Sequence, residues 1–244
     1  MTPARAVRVF ALALLVAFLL SPHWFAPILA PLNEFDAPAI YDQGDLLTLA
    51  LWHLATVVVA ALASAAVAVG LAVFVTRPVG EQFLPLSRSL VDFGQTFPPV
   101  AVLAIAVPLV GFGQVPTLIA LFAYGLLPIF ENTIAGLERC PRSLLEAADG
   151  MGMSPDQRLR EVELPLALPT ILEGVRVSLV INVGTAALGS TVAARGLGEV
   201  IIAGLLSNNT AFVLQGGFVT GLMAVLLYDA TRLVERRFVR GSHG

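Results

Sequence analysis

Long apolar stretches separated by short polar segments dominate the chain. Each stretch is long enough for one membrane crossing, because a transmembrane helix needs about 20 apolar residues. The pattern therefore predicts an all-α integral membrane protein, with about six transmembrane helices that use up residues 1–244 in a single domain. The predicted spans are residues 7–28, 46–75, 90–110, 115–137, 168–193 and 212–233.

The first two predicted spans differ from the others. Arg5 and Arg8 precede the first apolar run, as basic residues do in a secretory signal peptide. The run is long for a signal peptide and its small-residue cleavage pattern is poor, which favours a retained span, while cleavage stays open. The second span, 46–75, is too long to stand upright in a bilayer, so we expect it to tilt or project.

Composition also favours a lipid environment. The 244 residues are 57% hydrophobic and only 13% charged, whereas a soluble domain has roughly 25% charged residues. Cys140 is the only cysteine, which excludes an internal disulfide and a cysteine-based metal site. The three histidines are scattered without ligand spacing. We expect neither a metal site nor a nucleic-acid partner.

The basic residues are unevenly distributed, and all 14 are arginines. With six spans, only Arg195 falls on one side of the membrane and Arg176 falls inside the fifth span, while the rest share the other side. Basic residues favour the cytoplasmic side, so both termini are predicted to be cytoplasmic. The arginines of that side are Arg5, Arg8, Arg77, Arg88, Arg139, Arg142, Arg158, Arg160, Arg232, Arg236, Arg237 and Arg240.

The segment 140–165 is predicted to form a cytoplasmic loop with two short amphipathic helices. Ser143 is a possible cap of the first helix, and Gly150 and Gly152 can end it. Ser154 suits the cap and Pro155 the first position of the second helix. A projection of this kind suits insertion into a groove on a partner protein.

This loop resembles the signature of the permease subunits of binding-protein-dependent ABC importers. The signature is Glu-Ala-Ala, three residues, Gly, nine residues, an apolar residue, any residue and Leu-Pro; here Val162 is the apolar residue. The resemblance implies the type I importer (MetI-like) permease fold. In that family the loop forms a coupling helix that sits in a cleft of the ATPase subunit. The implied ATPase-coupling residues are Glu146, Ala147, Ala148, Gly152, Leu164 and Pro165.

The resemblance extends from about residue 46 to the C-terminus, and several segments look like those of the permeases of osmoprotectant importers. That group imports glycine betaine, choline, carnitine and related quaternary amines, so a solute of this class is implied here. The chain has no evident aromatic cage for such cations, which in this family belongs to a separate binding protein. The similar segments are 95–99, 109–113, 181–185, 196–198 and 206–210.

The resemblance also implies several partners in a bacterial inner membrane. With no lysine, the chain cannot carry the Gly-Lys phosphate-binding loop of an ATPase. We therefore expect no cofactor on this chain, with ATP and Mg bound by a partner. The expected partners are two ATP-binding cassette subunits, a second permease copy or a related permease, an extracytoplasmic substrate-binding protein and membrane lipid. Glu146 is expected to anchor its short helix through the helix dipole.

Polar residues inside the predicted spans are candidates for the translocation path. The candidates are Gln95, Thr96, Asn182 and Thr185; the last two share a face and could equally hydrogen-bond a neighbouring helix. Glu173 and Arg176, three residues apart, could pair with each other. Prolines within the spans suit a path that moves, although membrane helices tolerate proline.

Three alternatives remain open. The first is a permease for another small solute, such as an amino acid or an anion, with the same docking loop. The second is an intramembrane enzyme, which would need a nucleophile paired with a base, and neither Ser178 nor Ser190 has a histidine at suitable spacing. The third is a passive channel, which would not explain the loop.

Overall fold

The structure is a computed structural model that describes residues 3–33 and 37–241, with side chains for residues 5–33 and 37–235. Helices and short connections make up these residues, with no strand among them, which confirms the all-α prediction. Arg236, Arg237 and Arg240 of the arginine pattern lie outside the described side chains. The α-helices are α1 (Pro3–Leu20), α2 (Ala26–Leu29), α3 (Leu46–Val75), α4 (Leu84–Thr96), α5 (Pro99–Val110), α6 (Gln114–Glu138), α7 (Arg142–Gly150), α8 (Pro155–Arg158), α9 (Leu164–Ala186), α10 (Gly198–Leu206) and α11 (Thr210–Gly241).

Several helical segments in the described part of the chain could cross a membrane by length and composition. Four do so as single helices: Leu46–Val75, Gln114–Glu138, Pro155–Val192 and Thr210–Glu235. Two pairs meet the same standard only together, and each pair is bent. Arg5–Leu20 meets Pro22–Leu32 at 107°, and Glu81–Thr96 meets Pro99–Val110 at 97°. Counting each bent pair as one span gives six, in agreement with the prediction.

The predicted spans 7–28 and 90–110 are therefore not continuous helices. The first is interrupted at Ser21, whose backbone leaves the helical region before Pro22 starts a 3₁₀ turn. The second is interrupted at Phe97 and Pro98, both extended, before Pro99 opens α5. A residue that precedes proline avoids the α conformation, so two successive prolines end α4. The position of each break depends on this local chemistry rather than on the length of the apolar run.

The chain forms two compact units, and the first contains residues from 1–60, 98–121 and 179–230. Its loop 37–45 is fixed to α11 through the fully buried Gln215. The Tyr41 N–H donates to Gln215 Oε1 (3.2 Å), and Gln215 Nε2 donates to Ala39 O (2.6 Å). Both ends of the buried amide are thus paired, which avoids the penalty for an unsatisfied polar group.

The second unit contains residues from 61–97, 122–178 and the C-terminal segment from 231. Small residues let its helices approach closely: a Cβ on Gly174 of α9 would lie only 2.6 Å from Pro128 O of α6. The segment 140–165 belongs to this unit and extends from the packed ends of α6 and α9. The main buried cluster of the unit is Ala68, Ala72, Val75, Val91, Ile129, Phe130 and Ile134.

Candidate functional site

The first half of the predicted coupling loop is α7, which ends in a Schellman motif. The Met153 N–H donates to Ala148 O (3.1 Å) and the Gly152 N–H donates to Asp149 O (3.0 Å), the two bonds that define this motif. Gly152 has a φ of +77°, a conformation that is costly for any residue with a Cβ. The prediction that glycine ends the helix and turns the chain is confirmed.

A capping box then starts the next helix. The Gln157 N–H donates to Ser154 Oγ (3.3 Å), and the Ser154 N–H donates to Gln157 Oε1 (2.9 Å). This confirms Ser154 as the cap and Pro155 as the first helical residue. Ser143, by contrast, is not a cap. Extended Pro141 is the N-cap residue of α7, so Ser143 already lies inside the first turn.

The second half of the loop is not a separate short helix, so that prediction is wrong. Helix α8 continues through a π-helical turn, Leu159–Glu163, directly into α9. Pro165 has no N–H to donate to the carbonyl four residues earlier. The π turn accommodates this with a wider pattern, in which the Leu164 N–H donates to Leu159 O. The Leu164-Pro165 end of the motif therefore coincides with a local change of helix type.

The motif residues differ in exposure. Ala148 is only 1% exposed and holds α7 to the unit, while Leu164 is half-buried. Glu146 lies in the second turn of α7, beyond the first turn where the helix dipole acts, so dipole anchoring does not explain it. One face of α7 and the following turn is thus not covered by any of the described residues. The exposed motif residues are Glu146, Ala147, Gly152 and Pro165.

An ionic chain at the base of the loop was not predicted from the sequence. Arg77 donates to Glu163 through both terminal nitrogens (3.0 and 2.5 Å). Arg158 Nε donates to Glu163 Oε1 (3.0 Å), and Arg158 Nη1 donates to both Asp149 oxygens (2.8 Å each). Glu163 therefore accepts from two guanidinium groups. The strongest signal in the sequence was an acidic residue at the unspecified position of the signature, between Val162 and Leu164.

Of the predicted path residues, Gln95 and Thr96 lie in the second unit, where the end of α4 packs against α6. Gln95 Nε2 donates to Tyr124 O (3.0 Å), and the Tyr124 hydroxyl donates to Phe97 O. Thr96 Oγ1 donates within its own helix to Phe93 O (3.1 Å). Gln95 thus helps to fix the end of α4, and Thr96 is exposed.

The other two predicted path residues, Asn182 and Thr185, belong to the first unit. Asn182 is fully buried, and both atoms of its amide lack a hydrogen-bond partner. Thr185 is half-buried and donates to Ile181 O (3.0 Å) in its own helix. Nearby, His53 Nε2 contacts Val183 O (2.9 Å), which joins α3 to α9 within this unit. The sequence did not single out this buried histidine.

The suggested pairing of Glu173 with Arg176 is not the arrangement found. Arg176 forms its ion pair with Glu235 of α11 in the second unit, while Glu173 is exposed. Spacing along one helix suggested the local pair, but the long C-terminal helix supplies a different carboxylate. The arginine inside the fifth span is therefore neutralised by a neighbouring helix.

A comparison with family models gives one match that covers most of the chain. The model described as a binding-protein-dependent transport system inner membrane component matches residues 68–240, which include the whole loop 140–165. The chain belongs to this family. The resemblance seen in the loop signature is thus confirmed, and the permease is a transport component of the membrane.

Relatives of this permease share much of its length. It is 41% identical over 185 residues to the osmoprotectant import permease protein OsmY of Salmonella typhimurium, covering 76% of this chain and 78% of that protein. It is 35% identical over 196 residues to the choline transport system permease protein OpuBB of Bacillus subtilis, covering 80% and 89%. The alignments therefore extend well beyond the loop.

The fold is similar to that of solved transporters. A chain in the inward-facing MetNI methionine ABC transporter has a TM-score of 0.70 and 23% sequence identity to the permease, covering 79% of this chain and 96% of that chain. At this identity the likeness concerns the fold alone. It confirms the predicted MetI-like fold.

Proposed function

We propose that this permease forms the membrane path for a small osmoprotectant, such as glycine betaine, choline or another quaternary amine. Two relatives that carry the names osmoprotectant import permease and choline transport system permease support this substrate class. A further relative at 34% identity is named a glycine betaine/carnitine/choline transport system permease. These names agree on the chemistry of the solute.

We further propose that the segment 140–165 docks on a separate ATPase subunit. The supporting observation is an exposed face on α7 that is followed by a tightly built turn at Gly152 and a capping box at Ser154. A rigid loop transmits a movement of the ATPase subunit to the membrane helices, whereas a flexible loop would not. Two ATPase subunits, a second permease and an extracytoplasmic binding protein complete the proposed importer, and ATP and Mg bind to the ATPase subunits.

The proposed orientation places both termini and this loop in the cytoplasm of a bacterial cell. The arginine distribution supports it, since twelve of 14 arginines fall on one side of a six-span arrangement. This side is also where a cytoplasmic ATPase could reach α7.

Uptake of labelled solutes tests the proposed substrate class. Cells that carry the cognate ATPase and binding protein are compared with and without this permease, with glycine betaine, choline and carnitine at low external concentration. We expect uptake of at least one of them only when the permease is present. Equal uptake in its absence, or transport of an amino acid or anion instead, would contradict the proposal.

A further inference from the structure

The ionic chain at the base of the loop links three parts of the second unit. Arg77 follows the C-terminal end of α3, Glu163 ends the π turn that leads into α9, and Asp149 lies in the last turn of α7. Arg158 stands between Glu163 and Asp149. Positive and negative side chains alternate along this ionic chain, so each of the four groups pairs with one or two groups of opposite charge.

Burial is concentrated on Glu163. Its side chain is 5% exposed, those of Arg77 and Arg158 are 24% and 25% exposed, and that of Asp149 is 55% exposed. A buried carboxylate is strongly destabilised if its partners are removed, so both arginines are held in place around it. The same is not true of Asp149, which water can solvate. Glu163 is therefore the buried residue around which the ionic chain is organised, and Asp149 is the residue that connects this chain to α7.

Two features hold the far end of α7 in the part of the chain that the structure describes: the burial of Ala148 and the bonds from Arg158 to Asp149. Ala148 is the one buried residue of this helix, and the chain turns away at Gly152 immediately afterwards. The orientation of α7 relative to α9 thus depends largely on the path from Asp149 through Arg158 to Glu163. The π turn contributes directly, because it brings Glu163 back within reach of Arg158, five residues earlier.

We propose that Glu163 is a positioning residue of the coupling loop, holding α7 at a fixed orientation so that displacement of α7 moves α9. This inference rests on the proposed docking of the loop on an ATPase subunit. Without the Glu163 charge, the Arg158 side chain loses the partner that fixes its position, so its pair with Asp149 no longer holds α7 at one orientation. ATP hydrolysis then continues without an equivalent movement of the membrane helices.

The first measurement is a distance within this chain in the assembled, reconstituted transporter. Spin labels are placed at exposed Ser143 of α7 and exposed Leu166 of α9. The background is Cys140→Ser, which keeps a donor for the Glu163 carbonyl that Cys140 Sγ contacts (3.8 Å), and the same background with Glu163 intact is the reference. Glu163→Gln, which preserves size, is expected to broaden the distance distribution, while Glu163→Asp restores much of the narrow distribution. Glu161→Gln is the matched control, since this exposed carboxylate lies in the same π turn and its removal should leave the distribution unchanged.

The second measurement is solute transported per ATP hydrolysed. Glu163→Gln is expected to lower this ratio about tenfold, within the range for residues that carry coupling between distant sites, with a smaller loss in Asp149→Asn. Asp149 is 55% exposed, so its replacement should not prevent folding. Asp149→Asn therefore tests the proposal even if the Glu163→Gln transporter fails to assemble.

An unchanged distance distribution in both Glu163→Gln and Asp149→Asn would overturn the proposal. A broadened distribution with the wild-type ratio of solute transported per ATP hydrolysed would also overturn it. So would loss of coupling with an unchanged distribution, or an equal loss in Glu161→Gln. Failure of the docking proposal is a separate result: a change that misshapes the turn, such as Gly152→Val, would then leave coupling intact while Glu163→Gln still broadens the distance.

Discussion

Gly150 and Gly152 are both glycines, but their backbone conformations differ. A Cβ would meet open space at both, but only Gly152 has a positive φ. Gly150→Ala is expected to be neutral or stabilising by up to about 1 kcal/mol, since alanine favours helix. Gly152→Ala should destabilise the turn by about 1–2 kcal/mol.

Amide hydrogen exchange of residues 148–154 in the two variants separates these effects. The Met153 amide, bonded to Ala148 O in the wild type, should exchange faster in Gly152→Ala and no faster in Gly150→Ala. Equal exchange in the two variants would mean that the positive φ at Gly152 does not control the turn.

Residues differ in how far the sequence alone could assign them. Gly152 and Ser154 were predictable because their partners lie within five residues, where turn and cap chemistry is local. Glu163 was not, because Arg77 is 86 positions away and Arg158 is five. The latter spacing does not place two residues on one face of an α-helix and becomes a contact only through the π turn.

At the scale of elements, α3 begins with a cap that responds to pH. The Thr48 hydroxyl and N–H both donate to Asp45 Oδ2 (2.6 and 2.8 Å), and these bonds hold the pKa of the Asp45 carboxyl below its ordinary value. A lowered pKa stabilises the folded state above the unfolded pKa of about 3.9, and this contribution is lost as the pH falls through the folded value.

Variants at Asp45 test this cap. Asp45→Ala is expected to lower the local opening free energy of the first turn of α3 by about 1 kcal/mol at neutral pH. Asp45→Asn should retain most of the cap while abolishing its pH dependence. Protection factors of residues 47–50, corrected for intrinsic exchange and compared at pH 7 and at about pH 2, well below the unfolded pKa of about 3.9, provide the measurement. Identical pH dependence in wild type and Asp45→Asn would contradict the assignment.

Prolines show why helix continuity was only partly predictable. Pro98 and Pro99 end α4, whereas Pro108, Pro128 and Pro169 lie inside helices. A membrane helix retains an interior proline when another group takes the freed carbonyl or the local bonding adjusts. Pro128 frees the Tyr124 carbonyl, four residues earlier, and Gln95 Nε2 of α4 donates to that oxygen (3.0 Å). Such partners depend on side-chain placement, which an apolar pattern does not contain.

At the scale of the whole molecule, the apolar pattern predicted the number of spans but not their bends. The arginine pattern adds an orientation, which predicts that a reporter fused after residue 240 is cytoplasmic and that one inserted in loop 37–45 is extracytoplasmic. Activity of paired enzymatic reporters, each functional on one side of the membrane only, measures this. An extracytoplasmic reporter at the C-terminus would exclude the six-span orientation.

The central claim is that the segment 140–165 couples ATP hydrolysis on a partner to transport through this permease. Gly152→Val tests it, because a branched side chain at a φ of +77° distorts the turn without touching the membrane helices. Gly217→Val is the control, because Gly217 is exposed on α11 and a Cβ added there would have no atom within 4 Å apart from its chain neighbours and the backbone of its own helix. Buried Gly216 is unsuitable, since a Cβ there would lie 2.5 Å from Ile201 Cγ1.

The decisive measurement is solute transported per ATP hydrolysed by the reconstituted importer. For Gly152→Val we predict normal membrane insertion, loss of transport, and ATPase activity that no longer responds to substrate-loaded binding protein. Gly217→Val should keep the wild-type ratio. Transport by Gly152→Val at the wild-type ratio would show that this loop is not the coupling element.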